Sequence, residues 1–234
     1  MADLALLQHF SDLLRQGYIP SVGAWAQVDP AQSLTTILNA FNTLGGQDVE
    51  IYLFDPAGNT VGQVTGLSLE PYQALRLDLE TLVPAQALPF EGNVWIWCRG
   101  STAEGSLGLQ AIDLDFVDRT RPAGHVMANV HLIIDFIDTL AIPPYLDLVS
   151  PRLLVDETPE GAPMYQNFLG LAHVPVGLID GPEVEISILN ESGQELMASQ
   201  TIFVPTLGSW FGDLRFVVSG MDDFLRRPGE RRGR

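Results

Sequence analysis

A strand-and-turn pattern occurs twice in this chain and constrains its fold more than any other feature. The first copy runs from Val49 to Asn59 and the second from Val184 to Gln194. Both begin with Val-Glu-Ile and place a glycine three residues after an Asp or Asn, without a gap. Aliphatic residues alternating with polar or aromatic ones are typical of a strand with one side on a core, and Asp-Pro-Ala-Gly is a typical turn. The sequence therefore predicts one β-hairpin used twice.

The repeat predicts an all-β protein of two tandem antiparallel β-sandwich domains, with a short N-terminal α-helix. Short apolar segments recur with turn residues roughly every 8–12 positions, as in sandwiches. No long helical pattern separates them, so we expect antiparallel sheets. The predicted regions are a helix over 1–16, a first domain over 17–138, a proline-containing linker over 139–150, a smaller second domain over 151–225 and an arginine-rich tail over 226–234.

Individual strands follow from the same pattern. In the first half they are predicted at 23–28, 33–39, 47–54, 60–69, 75–79, 93–99, 107–118 and 125–135. In the second half they are predicted at 152–155, 167–173, 183–189, 196–204 and 213–219.

The N-terminal segment predicts an amphipathic helix. Leucines and Phe10 recur at spacings of three and four between Asp3 and Gly17. A helix this short is marginal alone and must pack on something. We interpret it as a contact for a partner or a second subunit, or as a helix that closes one end of a sandwich.

Charge separates the tail from the rest of the chain. All twelve cations are arginines, and five of them lie in the last nine residues. The other residues carry 7 arginines against 28 acids, a net charge of −21. Such a body repels phosphate backbones, so we expect no nucleic-acid binding by the folded part. The tail can contact RNA, acidic lipid or an acidic partner, or serve as a disordered, solubilising end.

Cysteine usage and apolar segments bear on the compartment. The chain has one cysteine, Cys98, which excludes an internal disulfide framework and suits a reducing cytoplasm. We expect no transmembrane segment, because no apolar stretch reaches the length that a bilayer requires. The N-terminus lacks the pattern of a secretory signal. These features predict a cytoplasmic protein.

Residues that could carry chemistry do not form a catalytic or metal motif, and no cofactor is predicted. His125 and His131 share a strand face but lie ~20 Å apart on a straight strand, too far for one metal ion. Asp113 and Asp115 have the residue type for glycoside hydrolysis or calcium binding, although a solvated strand face is the alternative. Cys98 is interpreted as a small buried residue. The absence of lysine excludes a Walker loop.

Aromatic residues give the predicted binding site. Trp95 and Trp97 share one face of a predicted strand, and Tyr52 lies on a strand expected to be its neighbour, together with Phe54. Trp210 is added from the second half. We predict that Trp95, Trp97, Tyr52 and Trp210 contact a ligand or partner. Such a platform stacks on sugars or packs against another subunit, and the alternative is core packing.

The first half resembles a known family. Gly17-Tyr18-Ile19-Pro20, the segment 33–40 and the strand 49–54 resemble the opening of the soluble sensory-rhodopsin transducer family. The span 17–138 is similar to that domain in size. The resemblance implies a cytoplasmic, oligomeric β-sandwich that is not an enzyme. It also implies coupling of a membrane photoreceptor to downstream partners, with binding of a small ligand or sugar.

These observations predict a non-enzymatic cytoplasmic protein that acts by binding. We expect it to form a homo-oligomer and to contact a partner protein or a small ligand, which includes sugars. A carbohydrate-binding module is the first alternative. A hydrolase that uses Asp113 or Asp115 is the second.

Overall fold

The computed structural model describes residues 3–41, 46–100, 111–120, 125–129, 153–154, 168–173, 183–189, 196–214 and 232–233. Most of these residues lie in strands, which confirms the all-β class. The elements in chain order are α1 (Leu4–Arg15), β1 (Ile19–Val28), β2 (Leu34–Phe41), β3 (Gln47–Phe54), β4 (Thr60–Leu69), β5 (Ala74–Asp78), β6 (Phe90–Gly100), β7 (Ala111–Asp118), β8 (His125–Asn129), β9 (Leu153–Leu154), β10 (Phe168–Ala172), β11 (Glu183–Leu189), β12 (Leu196–Phe203), β13 (Ser209–Asp213) and β14 (Arg232–Gly233).

The predicted strands agree with these elements where the residues are described. The bounds of β3, β4 and β11 are those predicted, and most others differ by a few residues. β13 was missed except for Asp213, because a turn was expected after Pro205, and β14 was missed because 226–234 was predicted as a tail. Of the predicted strand over 213–219, Asp213 is the last residue of β13 and Leu214 is not in a strand. Residues 215–219 and the domain boundaries at 138 and 151 lie outside the described residues.

Two four-stranded sheets form the first compact unit. Sheet I has the order β1-β6-β3-β4 and sheet II the order β5-β2-β7-β8, and neighbouring strands in both are antiparallel. Ile51, Leu53 and Ile96 of sheet I share a buried core with Leu38 and Leu114 of sheet II. Two sheets that bury aliphatic sides against each other have the arrangement of a β-sandwich.

The compact units are not continuous in sequence. The first unit comprises Met1–Leu132, Leu171–Gly181 and Val204–Trp210, and the second comprises Ile133–Gly170, Pro182–Phe203 and Phe211–Arg234. β11 pairs with β12, β9 with β14, and β10 with β13. One interpretation of the tail was a disordered, solubilising end. Arg232 and Gly233 nevertheless pair with β9.

The repeated pattern forms an antiparallel hairpin in both units. β3 pairs with β4 and β11 pairs with β12. The register shifts at Leu53/Phe54 in the first hairpin and at the matching pair Ile188/Leu189 in the second. The glycine of the second turn, Gly193, lies outside the described residues.

Within the described part of the chain, no helix has the length and apolar character needed to cross a bilayer.

Candidate functional site

The outer side of sheet I carries an aromatic face. Tyr52 lies directly opposite Trp95 and Phe54 opposite Asn93, because β3 and β6 are antiparallel neighbours. Directly paired residues point to the same side of a sheet, so these four side chains stand beside Trp97. This arrangement confirms the prediction that Tyr52 and Phe54 lie on a strand next to the two tryptophans.

Helix α1 covers the aromatic face. The Phe10 ring stacks on Trp97 and Trp95, with centroid distances of 4.8 and 5.8 Å, and meets the Tyr52 ring edge-on at 5.0 Å. Leu13 joins the same cluster. Trp95, Trp97 and Tyr52 are at most 1% exposed. The tryptophans therefore do not stand on an open surface, and α1 lies on a face of the sandwich instead of closing an end.

Both ends of α1 are capped by residues of the helix and its immediate neighbours. At the start, the Asp3 carboxylate accepts a hydrogen bond from the Ala5 N–H at 2.9 Å. At the end, Gly17 has φ +84° and donates to the carbonyl of Leu14, while Tyr18 donates to that of Leu13. These two bonds form the glycine-based C-cap known as the Schellman motif. The capping bonds of α1 therefore do not depend on contact with sheet I.

A second cover comes from the segment Val204–Trp210. Leu207 is fully buried in the aromatic cluster, and its carbonyl accepts a hydrogen bond from Asn93 Nδ2 at 3.1 Å. Leu207 has φ +59°, a left-handed backbone conformation that costs energy for residues other than glycine. Ser209 N donates to the carbonyl of Pro56, which joins this segment to the turn of the first hairpin.

Three hydrogen-bonded side chains, those of Glu50, Tyr52 and His9, lie at the aromatic cluster. Glu50 Oε2 accepts from the Tyr52 hydroxyl at 2.5 Å and lies 2.8 Å from His9 Nε2 of α1. Burial, and then the bond to Glu50, raise the pKa of Tyr52. His9 thus links α1 to sheet I through a polar side-chain contact.

Three buried polar atoms on one side of β6 lack hydrogen-bond partners among the described residues. They are Asn93 Oδ1, Trp95 Nε1 and Trp97 Nε1, from residues that are at most 1% exposed. A buried donor or acceptor without a partner costs about 1–3 kcal/mol. His173 Nδ1 is a fourth such atom, and burial lowers the pKa of His173. Three of the four buried polar side-chain atoms without a partner among the described residues thus lie on the aromatic face.

Other candidate residues lie elsewhere. Trp210 is half-buried on β13 and does not belong to the aromatic cluster. Asp115 Oδ2 accepts from Asn39 Nδ2 at 2.8 Å, while the Asp113 side chain lies outside the described part. Cys98 is buried in the aliphatic core, which confirms its interpretation.

No group of three or more His, Cys, Asp or Glu residues in the described part of the chain is arranged to hold a metal ion. The His125 side chain and all of His131 lie outside that part.

Comparison with known proteins adds no relative. No protein-family model, no curated protein and no solved structure matches this chain. The functional interpretation of the aromatic face therefore rests on its geometry.

Sequence reasoning did not assign Phe10, Asn93, Glu50 or Leu207 to this site. Asn93 stands two positions before Trp95 on the same strand, and that spacing is the one sequence signal that pointed to it.

Proposed function

We propose that this chain is a non-enzymatic binding protein whose recognition surface is the aromatic face of sheet I. Helix α1 holds that surface closed until a partner takes its place. The supporting observation is that α1 buries Trp95 and Trp97 while their indole N–H groups have no acceptor among the described residues. A partner that brings oxygen acceptors removes this defect.

The unpaired indole N–H groups offset part of the stability that α1 gains by packing on the aromatic face. Burial of Phe10 and Leu13 stabilises the closed state by about 1.5–3 kcal/mol each. The two unpaired indole N–H groups cost about 1–3 kcal/mol each. These costs offset part of the gain from packing, to which Leu6, Leu7 and Leu14 of α1 also contribute by partial burial. Because the helix keeps its own caps, it leaves the face as a unit.

The partner chemistry follows from what α1 supplies. An amphipathic helix that places an apolar side chain at the position of Phe10 fits the face in the same way. An α1 helix from a second copy meets this apolar requirement, as the proposed homo-oligomer needs, but it leaves the indole N–H groups unpaired as the chain's own α1 does. A small ligand with a flat apolar side is the other occupant of this kind.

The state of the carboxylates favours binding over hydrolysis. Asp115 is bonded to Asn39, Asp78 to Arg119, and Asp48 to Arg99. Arg99 bonds Asp48 and thereby lowers the pKa of that carboxyl. Carboxylates held in such pairs stabilise a surface and are poorly placed to transfer protons. A hydrolase that uses Asp113 or Asp115 remains the lesser alternative.

The wider role in this proposal is that of a cytoplasmic, transducer-like signalling protein. The sandwich of the first unit supports it, since the resemblance implied that fold. The proposal also includes a second sandwich related to the first by duplication. Its support is the shared register shift of the two hairpins.

Paired substitutions on α1 test whether the face opens. Phe10→Glu places a charge in the aromatic cluster, whereas Leu4→Glu places the same charge on the same helix at a position that is 70% exposed. We expect Phe10→Glu to red-shift tryptophan emission and increase acrylamide quenching, with β-sheet circular dichroism retained. We expect Leu4→Glu to behave as the wild type.

A peptide tests whether the opened face recognises a helix. A synthetic peptide of residues 3–18, added to the Phe10→Glu chain, should restore the blue-shifted emission, and the same peptide with Phe10→Glu should not. Failure of the wild-type peptide to bind a folded chain with accessible tryptophans would contradict the proposal. Tryptophans that stay inaccessible in Phe10→Glu would contradict it as well.

A further inference from the structure

The unpaired polar atoms of the aromatic face form a row along β6. Asn93, Trp95 and Trp97 occupy alternate positions, so their side chains emerge on one side of the strand. Neighbours in such a row stand roughly 6.6–6.8 Å apart, which gives the row a length of about 13 Å. A ligand that reaches all three residues must therefore be elongated and lie along β6.

The row presents both kinds of hydrogen-bonding atom. Asn93 Oδ1 requires a donor, and the indole N–H groups of Trp95 and Trp97 require acceptors. A hydroxyl group donates and accepts, so one ligand that carries several hydroxyls satisfies all three. The Trp95 and Trp97 rings lie 6.1 Å apart at an interplanar angle of 26°, and they offer apolar surface to a flat ring.

Charge selects among hydroxylated ligands. The Glu50 carboxylate lies beside the face, and the whole chain carries a formal net charge of −17. An anionic ligand is repelled by both. A cation gains from Glu50 and the aromatic rings, but an ammonium group cannot accept a hydrogen bond from an indole N–H.

From these three observations we infer that the aromatic face binds a neutral, elongated, polyhydroxylated ligand, a short neutral oligosaccharide being the matching chemical class. The inference rests on the proposed function, because Phe10 occupies the ring-stacking position until α1 moves. Leu207 covers the Asn93 end, and the strain of its left-handed backbone favours its displacement as well.

Titration of the full chain tests the ligand class. The probes are cellotriose, maltotriose and mannotriose, with trigalacturonate as an anionic control of similar size. The readout is the nuclear magnetic resonance signal of the ¹⁵N-labelled indole groups of the four tryptophans. We expect the neutral trisaccharides to move the Trp95 and Trp97 signals downfield as hydrogen bonds form, and trigalacturonate to move neither.

Two pairs of variants sharpen this test. Phe10→Ala opens the face and should lower the concentration needed for half-saturation roughly tenfold, while Leu4→Ala should leave it unchanged. Trp97→Phe retains a ring but removes one N–H, and should weaken binding about tenfold. Trp25→Phe is its control, because Trp25 does not belong to the aromatic cluster and its Nε1 donates to Glu91.

The outcomes separate the ligand class from the proposed function. If acrylamide reaches Trp95 and Trp97 in Phe10→Ala but no neutral trisaccharide moves their signals, the ligand class is wrong and the recognition surface stands. If acrylamide cannot reach them, the proposed function fails and the ligand inference fails with it. Equal shifts with trigalacturonate, or equal binding by Trp97→Phe and Trp25→Phe, overturn the inferred chemistry.

Discussion

The two hairpins share a sequence pattern but differ in how they are buried. The aliphatic positions Ile51 and Leu53 of β3 are buried, as are their counterparts Ile186 and Ile188 of β11. The other side differs, because Tyr52 is 1% exposed whereas its counterpart, Ser187, is exposed. The same strand pattern thus produces a strand covered on both sides in one unit and on one side in the other.

The difference lies in residues outside the hairpins. α1 contributes Phe10 and the segment Val204–Trp210 contributes Leu207 to the outer side of β3. The repeated sequence determines which side of each strand is aliphatic and buried. Segments outside the hairpin determine whether the outer side is buried. On β3 the outer side carries Tyr52 and Phe54, which pack against these covering segments.

Exchange of the two counterpart residues should give the largest effect. Tyr52→Ser removes a fully buried aromatic ring and should lower the free energy of unfolding of the first unit by about 4 kcal/mol. Ser187→Tyr adds a ring at an exposed position and should change stability by about 0.5 kcal/mol or less. Urea denaturation followed by circular dichroism measures both. Similar losses for the two variants would remove the distinction between the hairpins.

The turn of the first hairpin should show the second largest effect. Gly58 has φ +87°, and a Cβ there would collide with the carbonyl oxygen of Thr206. Gly66 has φ +71° but open space around a Cβ. Gly58→Ala should therefore destabilise by about 3 kcal/mol, and Gly66→Ala by about 1 kcal/mol. Equal thermal shifts in calorimetry would show that the segment containing Thr206 does not press on this turn.

Alkaline pH should weaken the covered side of β3 by a smaller amount. Burial and the bond to Glu50 raise the pKa of Tyr52 above its ordinary value, so the native state retains the phenolic proton more strongly than the unfolded state. This contribution is complete below about pH 10, the ordinary pKa of tyrosine, and decreases as the pH rises above it.

The slope for this one group is at most about 1.4 kcal/mol per pH unit. Tyr52→Phe should flatten the loss of stability measured by urea midpoints above about pH 10, relative to the wild type. Burial also raises the pKa of Tyr18, so part of the slope should persist in that variant. Identical slopes in the two chains would show that Tyr52 does not contribute.

The smallest effect concerns the turn after β4. Tyr72 has φ +63° and is 74% exposed, whereas Leu207, which follows the second hairpin, has φ +59° and is buried. Tyr72→Gly relieves backbone strain without loss of packing and should stabilise by about 0.5–1 kcal/mol. Tyr72→Phe keeps the strain and should be neutral. A decrease in melting temperature for Tyr72→Gly would show that the Tyr72 side chain makes a stabilising contact.

Local pattern was sufficient for much of the fold. The bounds of β3, β4 and β11 follow from alternation and turn residues, and the adjacency of Tyr52 and Trp95 follows from strand pairing. Sequence spacing did not reveal that Phe10 covers the tryptophans, because an amphipathic helix fits any apolar surface of suitable size. It also did not reveal the contact between Leu207 and Asn93, which are separated by 114 positions.

The return of Val204–Trp210 to the first unit has a consequence for biosynthesis. A ribosome releases the sandwich strands long before Leu207, which completes the aromatic cluster. During that interval α1 can already shield Trp95 and Trp97 from solvent and from chaperones, because Phe10 stacks on both rings. We expect the nascent first unit to depend on Phe10 more strongly than the finished protein does.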